Sequence, residues 1–450
     1  MKQSRRGFLR SASALGAGIL GGQVPFAAHP AHATPAGADG FGPLQAADGN
    51  GLMLPSGFSS RVVGVADEKP IPGASVAWHR APDGGATYAT PGGGWVYASN
   101  CERGSGSGGV RAIAFDASGD ILDVYSILSG TSRNCAGGPT PWDTWISCEE
   151  VSFGYSYECD PFTPGSEGIQ RPALGRFKHE AAAVDPATGY VYLTEDESNG
   201  LFYRFRPDTS GDLSSGVLEA AQILDPEGDG SIAVGETRPL AWHTISNPTP
   251  VFGPATRFQA WSATRFNRGE GIWYEGGSCY FATTGDHRVW ELDTAAQTIE
   301  ILYDASTSGT PELTQPDNVF ASPTGDVLVA EDAGNLEIVA LTPTGAVKPI
   351  VRVTGHSSTE LTGPALSPDG SRLYFSSQRA PTAGGNNGVT YEIEGPFVQA
   401  PASEVPALGS VGGVALMMAL GFLGRRFMEA DSASAQADPA ASDREVVNSD

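Results

Sequence analysis

The sequence has no long amphipathic helical pattern between residues 50 and 400. Charged residues make up only 17% of the chain, whereas glycine occurs 59 times and proline 33 times. This combination is typical of many short strands joined by tight turns. The sequence therefore predicts an all-β fold, either a sandwich, a barrel or a propeller, and about 350 residues suffice for one large core.

Basic residues are also scarce. The chain has 27 Lys and Arg against 51 Asp and Glu, which gives a formal net charge of -24. Because nucleic-acid binding needs a basic face, this balance argues against a nucleic-acid partner. An anionic substrate would also be repelled, unless metal ions or local arginines reverse the field at its binding site.

Cysteine is rare, with five residues in the chain. An odd number leaves at least one thiol unpaired, and we predict that Cys135 is this thiol and acts as a metal ligand. In an exported protein, Cys101, Cys148, Cys159 and Cys279 could form two disulfides, but the sequence does not determine their pairing.

The N-terminus has the three parts of a twin-arginine signal peptide. Residues 4–10 read SRRGFLR, a small apolar stretch covers residues 12–22, and Ala31-His32-Ala33 is a suitable cleavage site. We therefore predict a signal peptide over residues 1–33 and a flexible segment over residues 34–50. The mature protein is expected in the periplasm or at the cell surface.

The C-terminus differs in composition from the rest of the chain. A linker and an apolar segment occupy residues 401–428, with the apolar run at 407–423, and an acidic tail covers residues 429–450. The order of apolar run and arginines resembles bacterial sorting signals of the PEP-CTERM or IPTL type. A plain transmembrane anchor is the alternative. Either would attach the protein to a membrane or cell surface through residues 405–426.

The stretch NCAGGPTPWDTWISCEE covers residues 134–150. Its glycines and prolines predict a turn, and residues 142–148 alternate as a half-buried strand does. Side chains alternate along a strand, so Glu149 and Glu150 should point to opposite faces. A thiolate at Cys135 beside a carboxylate is suited to metal binding. The alternative is a buried free cysteine beside a solvated strand end.

Further acidic groups end other strand-like runs along the chain. One acidic loop end per repeat is what a cation site on the axis of a propeller needs, because unneutralised carboxylates would repel each other. The groups are His179-Glu180, Glu195-Asp196-Glu197, Glu270, Asp317-Asn318 and Glu331-Asp332.

Several long motifs occur together with the stretch at 134–150. They are GRFKHEAAAVDPATGYVYLTED (175–196), RGEGIW (268–273), QPDNVF (315–320) and LSPDGSRLYFSSQR (366–379). In this order they resemble the PhoX family of alkaline phosphatases. The resemblance implies a six-bladed β-propeller over residues 51–400, with a central calcium and iron cluster that hydrolyses phosphate monoesters. The expected substrate is a small phosphate ester, and we expect a monomer.

The same resemblance implies the site residues. Hard oxygen ligands suit Ca²⁺, whereas the thiolate favours a softer metal such as Fe³⁺. For phosphate binding the candidates are Arg268 and Arg379, and salt bridges to neighbouring carboxylates are the alternative. The metal candidates include both glutamates of the pair at 149 and 150. They are Cys135, Glu149, Glu150, Glu180, Glu195, Glu270, Asp317, Asn318 and Glu331.

Two stretches interrupt the repeats, at residues 153–178 and 225–263. We interpret them as insertions that cover the axial mouth, with ordinary surface loops as the alternative. Asp143 stands where the family motif usually has glycine, and this departure puts the local turn geometry in question. Because a fold alone does not decide function, two other classes stay open. They are another propeller metallohydrolase, such as a lactonase or phosphodiesterase, and a binding module with structural metals.

Overall fold

The computed structural model describes residues 37–225, 232–379 and 387–398. The predicted signal peptide, the apolar run at 407–423 and the acidic tail lie outside these residues. Within the described part of the chain, no helix is long and apolar enough to cross a membrane.

The predicted all-β fold is confirmed, because the described residues form twenty-six β-strands and five 3-10 helices of three residues, and no α-helix. The 3-10 helices are Ala38–Gly40, Pro172–Leu174, Thr256–Phe258, Thr284–Asp286 and Ala305–Thr307. The strands are β1 Leu52–Met53, β2 Ser59–Val65, β3 Pro82–Ala89, β4 Trp95–Cys101, β5 Gly108–Phe115, β6 Ile121–Thr131, β7 Asn134–Pro139, β8 Trp145–Glu149, β9 Ser156–Cys159, β10 Ile169–Gln170, β11 His179–Val184, β12 Val191–Glu195, β13 Phe202–Thr209, β14 Asp212–Ile223, β15 Arg238–Thr244, β16 Gly269–Glu275, β17 Ser278–Thr283, β18 Arg288–Asp293, β19 Thr298–Asp304, β20 Pro316–Ala321, β21 Val327–Glu331, β22 Glu337–Leu341, β23 Val347–Val353, β24 Leu361–Leu366, β25 Arg372–Ser377 and β26 Val389–Glu394.

Antiparallel pairing groups these strands into five sheets. Four have the size of a propeller blade: β3–β6, β7–β10, β20–β23 with β1 added, and β24–β26 with β2 added. The fifth has nine strands, in which the meanders β11–β14 and β16–β19 are joined at their outer edges by β15. The fold is therefore propeller-like, with four blade-sized sheets and one nine-stranded sheet rather than six separate sheets.

The inner strands of these meanders form a closed ring. In order they are β3, β7, β11, β16, β20 and β24; each contacts the next, and β24 contacts β3. Small residues permit the close approach, because a Cβ on Gly84 would lie 2.6 Å from the Cα of Ala136. A Cβ on Gly271 would likewise lie 2.7 Å from the Cα of Asn318. The ring is narrow because its strands carry glycine and alanine where they face each other.

Aromatic and aliphatic side chains fill the space between neighbouring sheets. Trp145 is buried between β7–β10 and β3–β6, and its indole N–H donates to the Asn100 side chain at 2.8 Å. Phe202 stacks on Phe281 with ring centroids 4.5 Å apart and thereby joins the two halves of the nine-stranded sheet. Burial of such rings removes large apolar areas from water and is the main stabilising term.

Two expectations, about the turn in the stretch at 134–150 and about residues 153–178, need correction. The predicted turn at residues 137–139 is the end of inner strand β7, and the turn itself follows at residues 140–144. Asp143 has a φ of 62° in this turn. It therefore adopts the left-handed conformation that glycine, the usual residue at this position of the motif, adopts readily. Residues 153–178 are not an insertion, because β9 and β10 complete a four-stranded sheet there. The two short strands β9 and β10 were not predicted, because the sequence around them is rich in proline and glycine.

The stretch at 225–263 also contains regular structure. Strand β15 lies at the outer edge of the nine-stranded sheet, away from the ring of inner strands. The expected cover over the axial mouth therefore does not come from the β15 part of this stretch.

The described end of the N-terminal segment has defined contacts, in contrast to the flexibility expected for residues 34–50. The Ala38 N–H donates to the Asp326 carboxylate at 2.8 Å. Phe41 packs edge-on against Phe58, with ring centroids 4.9 Å apart. All five cysteines are free thiols, so the two disulfides considered from sequence do not form. Cys148 and Cys159 lie on paired strands but oppose Ser156 and Trp145 instead of each other.

Candidate metal centre

The inner strands all begin at the same end of the molecule, and each contains an irregularity near that end. In β3, for example, Pro82 pairs with Cys101, and the pairing register shifts before Gly85. The same shift occurs near the start of the other five inner strands. A β-bulge of this kind bends a strand and re-aims the side chains within it. The bulges therefore turn the first side chains of all six strands away from regular pairing.

Five of these bulged positions carry an acidic or thiol side chain. Each is the second residue of its inner strand: Asp83, Cys135, Glu180, Glu270 and Asp317. The sixth strand differs, because Glu360 comes just before β24 and Gly363 approaches the backbone of Asp83 closely. The ring thus directs one metal-binding type of side chain per inner strand towards its axis.

Three groups of side chains are close enough to share a cation. Within each group the potential ligand atoms lie within 4.8 Å of one another. Glu180 belongs to two of the groups, so these two are adjacent. The groups are Cys135, Glu150 and Glu180; Glu180, Glu270 and Asp317; and Asp83, Glu102 and Glu360.

Cys135 also links two of the groups. Its Sγ donates to Asp83 Oδ2 at 3.4 Å, so the third group lies beside the first. Burial raises the pKa of the Cys135 thiol well above its usual value, and the surrounding carboxylates raise it further. In the absence of a cation this thiol is therefore protonated and unreactive.

A second tier of carboxylates comes from the strands that pair with the inner strands. Each carboxylate belongs to the residue directly after the last strand residue: Glu102 after β4, Glu150 after β8, Asp196 after β12 and Asp332 after β21. Side chains alternate along an extended chain, so this residue faces the axis when its predecessor faces away. The structure therefore splits Glu149 and Glu150 between two faces, as the alternation predicted.

The carboxylates that face away hold backbone N–H groups of nearby loops. Glu149 accepts from the backbone of Ser132 at 2.9 Å and of Tyr155 at 3.2 Å. Glu331 accepts from the backbone of Thr314 at 3.0 Å and of Glu337 at 3.1 Å. Both residues were predicted metal ligands, but the structure does not bring either into the three groups.

Glu195 has the same kind of environment in the next unit. It accepts from the Leu201 N–H at 3.1 Å and the Tyr203 hydroxyl at 2.9 Å, and it pairs with Arg257 at 2.9 Å. Asn318 is engaged as well: its side chain donates to Asp317 at 2.9 Å and accepts from the Gly363 N–H at 2.7 Å. Neither residue belongs to the three groups.

Replacing Glu195 by glutamine tests whether Glu195 binds a metal ion or holds a nearby loop in place. A glutamine cannot accept from all the present donors, and buried donors without partners cost about 1–3 kcal/mol. We expect the variant to unfold at lower denaturant concentration while its metal content stays at the wild-type level. Chemical unfolding and elemental analysis measure the two quantities. A loss of metal without a loss of stability would instead identify Glu195 as a ligand.

Three basic side chains line the rim of the acidic groups. Lys178 Nζ lies 2.8 Å from Glu150 and 2.7 Å from Asp196. Arg379 lies 2.5 Å from Glu360 and 2.7 Å from Glu102. These contacts partly neutralise the second tier of carboxylates.

Arg268 contacts two tiers at once. Its Nε donates to Asp196 at 2.8 Å, and its Nη2 lies 2.9 Å from Glu270. Residues two apart lie on the same side of an extended strand, but the φ of Arg268 is 59°, in the left-handed region, and β16 begins only at Gly269. Backbone contacts of 2.9 Å to Glu197 and 3.0 Å to Thr284 hold this turn. The turn, rather than strand alternation, brings the guanidinium to the carboxylates.

Basic residues do not fully balance the acidic groups. Burial raises the pKa of Glu150 to about 7 despite Lys178, and burial and neighbouring carboxylates raise that of Asp317 to about 8. Burial and repulsion also raise the pKa of Asp83, Glu180 and Glu270 well above the usual range. Glu180 Oε1 is buried and has no hydrogen-bond partner within the described residues. Buried oxygens without sufficient positive charge are what a bound cation would satisfy, so this donor set fits metal ions.

Comparison with known protein families finds one family whose model covers much of this acidic site. The family model described as "Alkaline phosphatase PhoX" matches residues 117–152 and 151–300, a span that includes Cys135, Glu150, Glu180, Arg268 and Glu270. The chain belongs to the PhoX family. The resemblance predicted from the motifs is therefore confirmed, and it supports a phosphoric monoester hydrolase.

One solved structure of a PhoX shares the fold of this chain. Pseudomonas fluorescens PhoX in complex with vanadate, a transition state analogue, is 18% identical with a TM-score of 0.63. The match covers 79% of this chain and 97% of that one. A gluconolactonase from Xanthomonas campestris is 12% identical over 80% of this chain and 98% of that one, with a TM-score of 0.43. No curated protein sequence matches the chain significantly.

Sequence reasoning missed several residues of this PhoX-family site. Asp83 and Glu360 were missed because they come from the first and last inner strands, outside the acidic repeats considered. Asp196 and Asp332 were noted only as neighbours of glutamates. Position along the chain could have identified the second tier, because each of its axial carboxylates directly follows the last residue of a strand. The missed residues are Asp83, Glu102, Lys178, Asp196, Asp332 and Glu360.

Proposed function

We propose that this chain hydrolyses phosphate monoesters at a metal centre formed by the three acidic groups. The observation that supports this most strongly is the joint arrangement of ligands and arginines on one end of the ring. Acidic side chains alone would suit a structural cation. Arg268 and Arg379 are 40% and 39% exposed at the rim of the same groups, so a substrate can reach them from solvent.

Each part of the site has a separate task in this proposal. Metal ions, when bound, lower the pKa of a water-derived nucleophile and neutralise charge on the phosphoryl oxygens. The carboxylates of the ring hold those ions in fixed positions. The guanidinium groups of Arg268 and Arg379 bind phosphate oxygens, because a planar fork matches two oxygens of one phosphate. Lys178 keeps Glu150 and Asp196 in place.

We infer calcium and iron as the metals. Seven of the eight ligand candidates in the three groups are carboxylates, which prefer hard cations such as Ca²⁺. Cys135 is the exception, since thiolates favour softer metals, and it argues for Fe³⁺ in the group that also contains Glu150 and Glu180.

We also infer six blades from the closed ring of six inner strands. The nine-stranded sheet contains two meanders of blade size, and β15 bridges their outer edges. Counting each meander as a blade gives one inner strand for each blade. This count agrees with the six-bladed propeller that the motifs implied.

Export and attachment are proposed from sequence alone. The twin-arginine pattern at residues 4–10 supports transport of the folded protein, and a preassembled metal centre is suited to that route. The apolar run at 407–423 supports attachment at a membrane or cell surface, through either a sorting signal or an anchor.

The test of the proposed function is a paired measurement on purified wild-type protein. We expect calcium and iron by elemental analysis, and hydrolysis of phosphate monoesters that is lost on chelation and restored by both metals. The same preparation should be assayed with a phosphodiester and a lactone. Turnover of either of those in place of the monoester would favour the other metallohydrolase classes, and no turnover by metal-loaded protein would favour a binding module.

The metal-free protein is expected to lose stability as pH rises from about 5 to about 8. Carboxyl groups in an unfolded chain titrate near 4, whereas Glu150 and Asp317 have pKa values of about 7 and about 8 when folded. The folded state therefore binds more protons within this window, and raising the pH favours unfolding. Thermal unfolding in chelator at several pH values measures the effect.

Adding calcium provides the control for this pH dependence. Cations bind the ionised carboxylates of the folded state, so they should remove most of the loss at higher pH. A metal-free protein whose midpoint temperature stays constant or rises across the window would contradict the raised pKa values.

A further inference from the structure

Two segments at the rim lead directly away from the metal centre. The first segment, residues 150–155, begins at Glu150. The second, residues 171–178, ends at Lys178, whose Nζ lies 2.8 Å from Glu150. An extended chain spans at most about 3.6 Å per residue, so the Cα of Phe153 is within about 11 Å of that of Glu150, and Arg176 is within about 7 Å of Lys178. Side chains on both segments are therefore close enough to contact a substrate held at the centre.

These segments meet in a stack of rings and a cation. The Arg176 guanidinium lies 5.3 Å from the ring centroid of Phe153 and 5.3 Å from that of Tyr155. Its Nε donates to the Phe153 carbonyl at 3.0 Å, and its Nη1 donates to the Pro250 carbonyl at 3.1 Å. Among the described residues it makes no ion pair with a carboxylate. The guanidinium is thus held in position by carbonyl groups and rings rather than by a carboxylate.

Phe153 has an unusual backbone conformation for a bulky residue. Its φ is 61°, in the left-handed region, and its relative exposure is 42%. Such a conformation is strained for phenylalanine and persists only where neighbouring contacts impose it. The turn between Val151 and Gly154, closed by a 2.8 Å hydrogen bond, and the contact with Arg176 impose it here. Together they hold an apolar ring in solvent beside a charged site.

We propose that Phe153, Tyr155 and Arg176 form a subsite for the planar aromatic part of the leaving group, either the ring of a phenol or the base of a nucleoside. The inference rests on the proposed phosphatase function. When the phosphoryl group is held by the centre, the rest of the ester must extend towards the rim. Rings present a flat apolar face there, and aromatic stacking favours flat partners over aliphatic ones. Arg176 adds local positive charge that offsets the net charge of -24 for an anionic substrate.

The test compares substrates with and without a ring in matched variants. Phe153→Asn removes the ring and keeps a residue that tolerates a left-handed backbone. Phe162→Asn is the control, because Phe162 is 40% exposed and lies in the loop from β9 to β10, at the opposite end of the same sheet. The substrates are adenosine 5′-monophosphate, phenyl phosphate and glycerol 2-phosphate. The measured quantity is kcat/KM for each ring-containing ester divided by kcat/KM for glycerol 2-phosphate.

We expect this selectivity ratio to fall about fivefold for both ring-containing esters in Phe153→Asn, as for the loss of one aromatic pair. It should be unchanged in Phe162→Asn. An equal loss of kcat/KM for all three esters in Phe153→Asn would overturn the subsite, because it would show a general structural effect. An association of wild-type chains that Phe153→Asn abolishes, with no change in selectivity, would assign the rings to an interface between copies and also overturn it.

A binding measurement separates this inference from the proposed function. Adenosine carries the ring but no phosphate, and ligand-observed NMR detects its weak binding without turnover. If wild-type protein hydrolyses none of the esters, the proposed function fails. Adenosine binding that is present in wild type and Phe162→Asn but absent in Phe153→Asn would still support the aromatic subsite. Equal adenosine binding in all three proteins would overturn it.

Discussion

Replacing Arg268 by alanine is expected to lower kcat for phosphate monoesters about 10²–10³-fold, by analogy with the loss of one oxyanion-hole donor. Arg268 contacts Asp196 and Glu270 and is 40% exposed, so it joins both carboxylate tiers to the solvent side. A guanidinium there offsets charge on the phosphoryl oxygens. Arg268→Lys should be impaired as well, because lysine keeps the charge but loses the two-pronged geometry.

Steady-state kinetics, elemental analysis and thermal unfolding are to be measured on the same preparations. Metal content should be unchanged, since arginine is not a ligand. Arg352→Ala is the matched control, because Arg352 is 38% exposed and also pairs with a buried carboxylate, Glu337, on the outer strands β22 and β23. Its loss should affect stability but not kcat. Full turnover by Arg268→Ala would contradict the assigned role.

Replacing Glu180 by glutamine is expected to have the largest effect on metal content. Glu180 belongs to two of the three acidic groups, its side chain is fully buried, and one of its oxygens has no hydrogen-bond partner in the described part of the chain. A neutral amide there should weaken cation binding in both groups. Because a metal ion supplies several kcal/mol of transition-state stabilisation, turnover should fall on the order of 10³-fold or more.

A variant should lose more cations when the replaced residue belongs to more of the three groups. Glu360→Gln affects only the group with Asp83 and Glu102, so it should lose fewer metal ions than Glu180→Gln. Glu195→Gln, outside all groups, should lose none. Elemental analysis of the three variants, normalised to protein concentration, gives the order. Equal metal content in Glu180→Gln and Glu195→Gln would refute the shared position of Glu180.

Local sequence patterns predicted many of the strands and turns. Aspartate and glycine occur at residues 116–119 and again at 368–370, and a tight turn joins two strands at each place, β5 to β6 and β24 to β25. In each case an aspartate side chain and a glycine with positive φ form the turn. Strand alternation also predicted that Glu149 and Glu150 face opposite ways. These features depend on near neighbours in the chain, so the sequence carries them directly.

Local patterns did not predict which acidic residues meet. Glu149 and Glu150 were both metal candidates, but only Glu150 faces the axis. Glu195 and Glu331 were candidates too, whereas the structure directs the residue after each of them to the axis. The face that a strand-end residue takes depends on the phase of the alternation. That phase is set by the bulge in the neighbouring inner strand, which is a property of the pairing between strands rather than of either strand alone.

By itself the sequence determined an all-β chain with the motifs of one phosphatase family and a thiol among carboxylates. Only the tertiary structure brought Asp83, from the first inner strand, within 4.8 Å of Glu360, which directly precedes the last. It also placed Lys178 and Arg379 on the rim and Arg176 between two rings. The physical reason is the closure of the ring. Residues nearly 280 positions apart become neighbours when β24 packs against β3, and no local periodicity records that contact.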